Sequence, residues 1–255
     1  MAKYSPQTNY FKTSKKLTQI YNYTFWIIFL LSMVLSIFKQ AFWVSCLSIF
    51  SIILLSILEL VSDNFKIKAE KIRRMDFIDN SFGTKLVHDS SDDYYDNDEL
   101  EPGINKAILN LFENSFFSMR VSEEMMRKHF GKNIIFTVII IGFAIYGFSN
   151  SVISLPILQL YLSRYFILNM IKLKSFHDSV EANFNDLKSI TEKLGDNRKL
   201  TDVELMLIRA LVEYEVNIAE SNLLLDSKIF NEMNLELTKE WQEIKVKYMK
   251  KGGWK

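Results

Sequence analysis

Cysteine, proline and glycine are scarce in this chain, and each scarcity excludes something. One cysteine, Cys46, in 255 residues leaves no intramolecular disulfide framework and no cysteine metal cluster. Set in an apolar run, it reads as a small packing residue. Three prolines and eight glycines allow few sharp turns, so the chain is expected to be mostly helix. A net charge of only +1 argues against a general polyanion binder, because phosphate binding needs a concentrated basic surface; no direct nucleic-acid binding is expected. The three histidines, His88, His129 and His177, are scattered, and none stands at metal spacing from another or from the cysteine. There is no Gly-rich phosphate loop, no Gly-x-Ser-x-Gly and no carboxylate pair in an apolar cytoplasmic setting. Arg127-Lys-His129 is too closely spaced for the arginine–histidine motif of helical ribonucleases. No catalytic residue, cofactor or metal ligand is assigned, and an enzyme is the least expected class.

What is present is apolar length. The residues are 49% apolar and 24% charged, ordinary values for a soluble protein, but the apolar ones gather in two blocks at about 24–61 and 134–171. The stretch 41–83 organises the rest. Its first half, Ala41-Phe-Trp-Val-Ser-Cys-Leu-Ser-Ile-Phe onward, is long enough as a helix to cross a hydrocarbon core of roughly 30 Å. No Gly or Pro then breaks it before basic and apolar residues alternate through 64–82 at helical spacing, so one continuous rod is expected, a span that continues as an amphipathic helix in water.

The fold class read from this pattern is an all-α integral membrane protein, with four transmembrane helices in two hairpins and a helical cytoplasmic domain. A polar segment at 1–20 precedes hairpin one at 21–61, which turns at Lys39-Gln40. A helical insert at 62–133 contains an acidic loop, 88–101. Hairpin two covers 134–171, turning at Ser149-Asn-Ser151, and a helical region follows at 172–255. Positive residues Lys12, Lys15 and Lys16, the stretch 66–74, Arg127, Lys128 and Lys132, and Lys172 and Lys174 flank the four spans on one side. By the positive-inside rule that side is cytoplasmic, giving a multi-pass inner-membrane chain with both termini inside; three spans would put one basic cluster on the wrong side.

Several finer features follow. The loop 88–101 reads as solvated; Asp96 and Asp98 resemble alternating calcium ligands, but the EF-hand's rhythm and turn glycine are missing. Ile104, Ala107, Ile108, Leu111, Phe112, Phe116 and Met119 form a buried helical stripe. Leu173, Phe176, Val180, Asn183, Leu187, Ile190 and Leu194 follow coiled-coil-like spacing, with Asn183 of the kind that fixes register. This seam packs either within one subunit or between subunits, and it is the candidate self-association seam. Thr201-Asp-Val-Glu204 is a capping box opening the next helix, which is expected to continue to Met233 before a restart near Leu237-Thr238.

Polarity inside the membrane marks the candidate pore-lining or gating residues. Ser45, Ser48, Ser56 and Glu59 fall within an arc of about 80° of the second span, a face suited either to close helix packing or to an aqueous path. The fourth span carries Gln159 and Arg164. Arg164 is a functional candidate that reaches Glu59 or snorkels to the headgroups.

Ala69-Glu-Lys-Ile-Arg-Arg-Met-Asp-Phe77 after the second span, Glu113-Asn-Ser-Phe-Phe117 before the third, and the hairpin–insert–hairpin layout resemble the four-transmembrane pore-forming effectors of bacterial nucleotide-signalling and anti-phage defence systems. The chain departs from that family in lacking a Gln-Asp pair in 207–214 and any proline after Pro156. The resemblance implies an effector that oligomerises and permeabilises the membrane when triggered. Its expected partners are the lipid bilayer, further copies of itself, and a cytoplasmic protein or nucleotide-signal sensor. The alternative is a membrane-anchored scaffold or sensor that binds a partner through its cytoplasmic helices; a transporter fits less well, because the hairpins show no inverted repeat.

Overall fold

A computed structural model describes residues 5–38, 41–87, 95, 97, 99–146, 169–194 and 200–252. These form helices α1 (Thr8–Ile37), α2 (Ala41–Phe82), α3 (Ile104–Tyr146), α4 (Asn169–Leu194), α5 (Leu200–Ser221) and α6 (Ser227–Gly252), with no strand among the described residues. Two stretches, Thr8–Leu35 and Ser45–Phe82, are long and apolar enough to cross a membrane.

The rod expected from 41–83 is a single helix of 42 residues. Its buried side follows three-four spacing for most of its length: Leu47, Ser51, Leu54, Leu58, Ser62, Lys66 and Ala69 are all buried or half-buried, whereas Ile52, Ile53, Ile57 and Leu60 point outward. The first part of this stripe meets α1 in an antiparallel hairpin; the last part, at Phe77, belongs to the main core. Gly83 ends the helix at φ +70°, donating its N–H to the Asp79 carbonyl at 2.8 Å, as a left-handed C-terminal cap does. Asp79 itself holds the following loop. Burial alone would raise its pKa, but the Thr84 hydroxyl and the Leu86 and Val87 amides, donating at 2.6–2.9 Å, outweigh this and lower it.

α3 is a second rod. Its first turns are packed, with Ile108, Leu109, Leu111 and Phe112 fully buried, and the same helix runs through Gly131 into the exposed apolar residues Ile134, Ile135, Val138 and Ile141. The insert helix and the stretch expected as the third span are therefore one helix as far as Tyr146. A side chain at Gly131 would meet nothing within 4 Å, so no close packing requires a glycine there, and the helix continues through it. The turn 149–151 and nearly all of the expected fourth span lie outside the described residues.

The core gathers α3 to α6 and the end of α2 around aromatic rings. Phe112 lies 4.8 Å from Phe184, 5.4 Å from Trp241 and 5.6 Å from Tyr248, and Phe116 stacks on Trp241 at 6.0 Å, separations at which ring pairs attract beyond their buried area. The seam of α4 closes onto this core: Leu173, Phe176, Val180, Asn183, Leu187 and Ile190 are buried within the chain. Asn183 accepts from the Ser115 hydroxyl at 2.9 Å and donates to the Ala210 carbonyl at 2.7 Å. The stripe that suited either use is thus covered by its own subunit, because α3 and α5 supply both the apolar surface and the polar partners for its one asparagine. The side chain of Leu194 lies outside the described residues.

Three other expectations change. The N-terminal segment, expected as a polar stretch separate from the first span, is helical from Thr8 and continuous with the stretch expected to span, since Tyr10, Ser14 and Thr18 give it a face that packs on α2. The loop 88–101 is anchored rather than solvated where it is described: Tyr95, Asn97 and Leu100 are buried, and Glu99 pairs with Lys245. Asn97 donates to Asn110 at 2.9 Å and to Glu113 at 2.8 Å, while Tyr95 sits edge-on to Phe77 and accepts from Asn114. His88, Asp96 and Asp98 lie outside the described residues. Finally, the break expected near Leu237 falls at 222–226, where Asn222 adopts φ +46° and the Asp226 carboxylate caps α6 by accepting from the Lys228 amide.

Candidate functional site

The place where the α1–α2 hairpin joins the helical body is tied by polar groups from α1, α2, α3, α5, α6 and the α5–α6 link. On the hairpin side, the buried Ser14 and Ser62 form a hydroxyl knot with Thr18 at its exposed edge. Ser62 Oγ lies 3.0 Å from both other side-chain oxygens and 3.0 Å from the Ser14 carbonyl, and Thr18 Oγ1 donates to that same carbonyl. Small hydroxyl residues allow the close approach, and each satisfies another. The rings of Tyr10 and Phe65 lie tilted to each other beside them at 6.4 Å, and Lys15 donates to Ser227 at the start of α6.

One turn further along α2 comes the first tie to the body. Lys66 Nζ donates to Asn222 Oδ1 at 2.9 Å, and Asn222 Nδ2 donates to Asp63 at 3.3 Å. The left-handed backbone of Asn222 belongs to the α5–α6 link, a conformation asparagine tolerates better than most residues. Burial pushes the Lys66 ammonium down to about 8, against the opposing pull of Glu70 and Asp63, and Lys172 adds to the lowering.

Seven residues further along, Arg73 makes the second tie. It donates to Glu70 at 2.7 Å and through one terminal nitrogen to both oxygens of Glu215, at 2.8 and 2.6 Å. Burial disfavours its charge, but Glu70 and Glu215 more than offset this and hold the guanidinium protonated. Because 66 to 73 and 222 to 215 are both steps of seven, the two ties sit about 10 Å apart on antiparallel helices. α3 adds Met125, whose sulfur accepts from the Asp226 amide, and Lys128, which bonds Glu232 at 3.0 Å.

Lys66 yields a pH test. Its pKa is about 8 when folded and 10.5 ordinarily, so between these values the unfolded chain binds the extra proton and folding gains as pH rises. The gain is at most about 3 kcal/mol. Thermal stability of the wild type relative to Lys66→Met is therefore expected to climb from pH 8 to pH 10; parallel curves for the two proteins would remove the buried-charge account.

Of the residues singled out in the sequence, Ser45 and Ser56 lie exposed on α2 and Glu59 is half-buried with an interaction of its own. The Ser48 side chain, Gln159 and Arg164 lie outside the described residues. The serine that grips α1 is Ser62, and Ser51, buried on the same stripe, bonds back to the Leu47 carbonyl of its own helix; the two lie on a different face. Ser51 lies roughly 60–140°, and Ser62 roughly 40–120°, around the helix from the members of the Ser45–Glu59 group. The signal for them was present, since Ser51 and Ser62 are eleven residues apart, three helical turns, and Ser14 and Thr18 are one turn apart. The two strings that carried the resemblance are packing strings: 69–77 supplies Ala69, Arg73 and Phe77, and 113–117 supplies Glu113, Ser115 and Phe116, all within the body. His177, Asp178 and Glu181 bring possible ligand atoms within 4.8 Å of one another, a grouping the sequence did not suggest. Lys174 already pairs with Asp178 at 2.7 Å, and Ser122 lies 3.1 Å from the His177 ring. No family model, curated protein or solved structure matches the chain.

Proposed function

We propose that this chain is a four-span inner-membrane effector, with both termini cytoplasmic, that self-associates and permeabilises the membrane when triggered, in the manner of the anti-phage effectors its layout resembles. The observation that carries the reading is the continuity of α2 from an exposed apolar stretch, through the hydroxyl knot, into the buried body. A simple anchor needs no such rigid continuation, and α3 repeats the arrangement. Helices of this kind transmit a rearrangement of the body directly to the spans. Four spans enclose little room for water, so the conducting state is an oligomer. The spans then lie at 21–38, 41–61, 134–148 and 152–171, and the body is the cytoplasmic part.

The direct test is dye leakage from liposomes holding the pure protein, with and without a cytoplasmic extract as the source of trigger. Leakage is expected only with the trigger. Changing Ser45, Ser48 and Ser56 together to leucine is expected to cut that leakage by at least about tenfold, since a hydroxyl-lined path would lose its polar wall. A scaffold or sensor whose spans only anchor it would tolerate all three changes and leave liposomes intact under every condition.

A further inference from the structure

α5 is apolar on two opposite faces. One face, Val203, Leu207, Ala210 and Tyr214, is buried in the core. The other, Leu205, Ile208, Val212, Val216 and Ala219, is exposed, with Leu205 at 66% and Val212 at 55%, and it falls within an arc of about 80° over about 21 Å of helix. An amphipathic helix that needed only its own core would carry one such stripe. The second borders a groove of about 350 Å³ between α5 and α2, walled by Val212, Val216 and Ala219 on one side and by Arg74, Phe77 and Ile78 on the other.

The two walls have opposite charge. Asp202, Glu213 and Glu220 edge the α5 stripe on one side and Glu204 and Glu215 on the other; within the chain Arg209 pairs with Glu213 at 2.8 Å, and Glu215 pairs with Arg73 and, at 3.8 Å, with Arg74. The facing side of α2 presents Lys71 and the half-exposed Arg74 between the apolar Ile67 and Ile78. A basic helix from another protein would suit the edges of α5 but meet Lys71 and Arg74 with like charge, and an acidic helix would meet the reverse conflict. A surface carrying both signs in this order matches itself when turned about a two-fold axis.

We infer that the α2–α5 groove is the surface by which two copies of this chain associate, each inserting its α5 stripe into the groove of the other with Val212 near the two-fold axis. Asp202, Glu204 and Glu220 of one α5 then face Lys71 of the second copy, while the aliphatic side chains form the dry centre. This rests on the self-association proposed above and names its surface, which the buried α4 seam does not supply.

The test uses the full chain in detergent with Cys46→Ser as background. Val212→Cys is expected to give a covalent dimer under mild oxidation, whereas Leu235→Cys, 74% exposed on α6, is expected to stay monomeric. Val212→Asp with Val216→Asp is expected to weaken dimerisation by at least about thirtyfold, with an unchanged circular dichroism spectrum because both positions are exposed. Absence of the Val212→Cys dimer, a cross-link to a foreign protein instead, or undiminished association of the double-Asp variant would overturn the surface, whatever the liposomes do. A dimer that forms as described in a chain that never leaks would sustain the surface and overturn the permeabilising role.

Discussion

Inserting Gly-Gly between Ser62 and Asp63 is expected to abolish triggered leakage while leaving both the hairpin and the body folded. Two residues rotate everything after the insertion by about 200° relative to everything before it. The hydroxyl knot of Ser14, Thr18 and Ser62 stays with the hairpin, and the ties of Lys66 to Asn222 and of Arg73 to Glu215 stay with the body. What is lost is their alignment on one stripe of a stiff helix, at a further local cost of about 1 kcal/mol for each glycine. An Ala-Ala insertion at the same place keeps the helix stiff and imposes the same rotation. Loss of leakage in both variants would assign coupling to the alignment of the faces, and loss in Gly-Gly alone would assign it to stiffness. Undiminished leakage in both would reduce α2 to an anchor.

Trp241→Ala is expected to have the largest effect on stability, about 3–5 kcal/mol. The indole is 1% exposed and touches Phe112 and Phe116, which in turn hold Phe184 and Tyr248, so its loss opens the centre of the body where α3, α4 and α6 meet. The melting temperature in detergent is expected to fall by roughly 10 °C. Trp241→Phe should cost much less, because the indole N–H has no hydrogen-bond partner among the described residues and a phenyl ring keeps most of the contacts. Equal losses for the two variants would mean that the N–H, not the ring, is what the body needs.

The rod at 41–82 was legible because nothing in 41–82 breaks a helix and Gly83 is the cap that stops it. Helical stripes such as Ile108, Leu111 and Phe112 were legible for the same reason: burial imposes a period, and a period can be read. The join at 131–133 was not, since a glycine flanked by lysine resembles a boundary when only composition is visible, whereas a helix already fixed at both ends carries one glycine at a cost of only about 1 kcal/mol. The acidic loop misled because its charge outnumbers its anchors. Tyr95 and Leu100 were the signal, apolar residues in a run that otherwise had no reason to hold them. At the candidate site, sequence reasoning found the basic stretch but not the partners of Lys66 and Arg73. Asn222 and Glu215 are about 150 residues away, and no local period announces a contact at that separation. The seam on α4 shows the converse: its spacing was read from the sequence, while what covers it depended on three other helices.

The loop between α2 and α3 also sets how far these helices can move. The Gly103 amide donates to the Ser81 carbonyl at 2.8 Å, and a Cβ on Gly83 would meet Pro102 at 3.3 Å, so the end of α2 and the start of α3 are pinned side by side. Both helices extend from that pin into apolar stretches, and α2 alone is about 63 Å long. The pin is a fulcrum at the far end of two long levers. A tilt there of only about 5° carries the opposite end of α2 sideways by about 5 Å, more than the width of a water molecule. A change in packing around Ser81 and Asn110, deep in the body, is therefore amplified along α2 toward its opposite end without bending the helix.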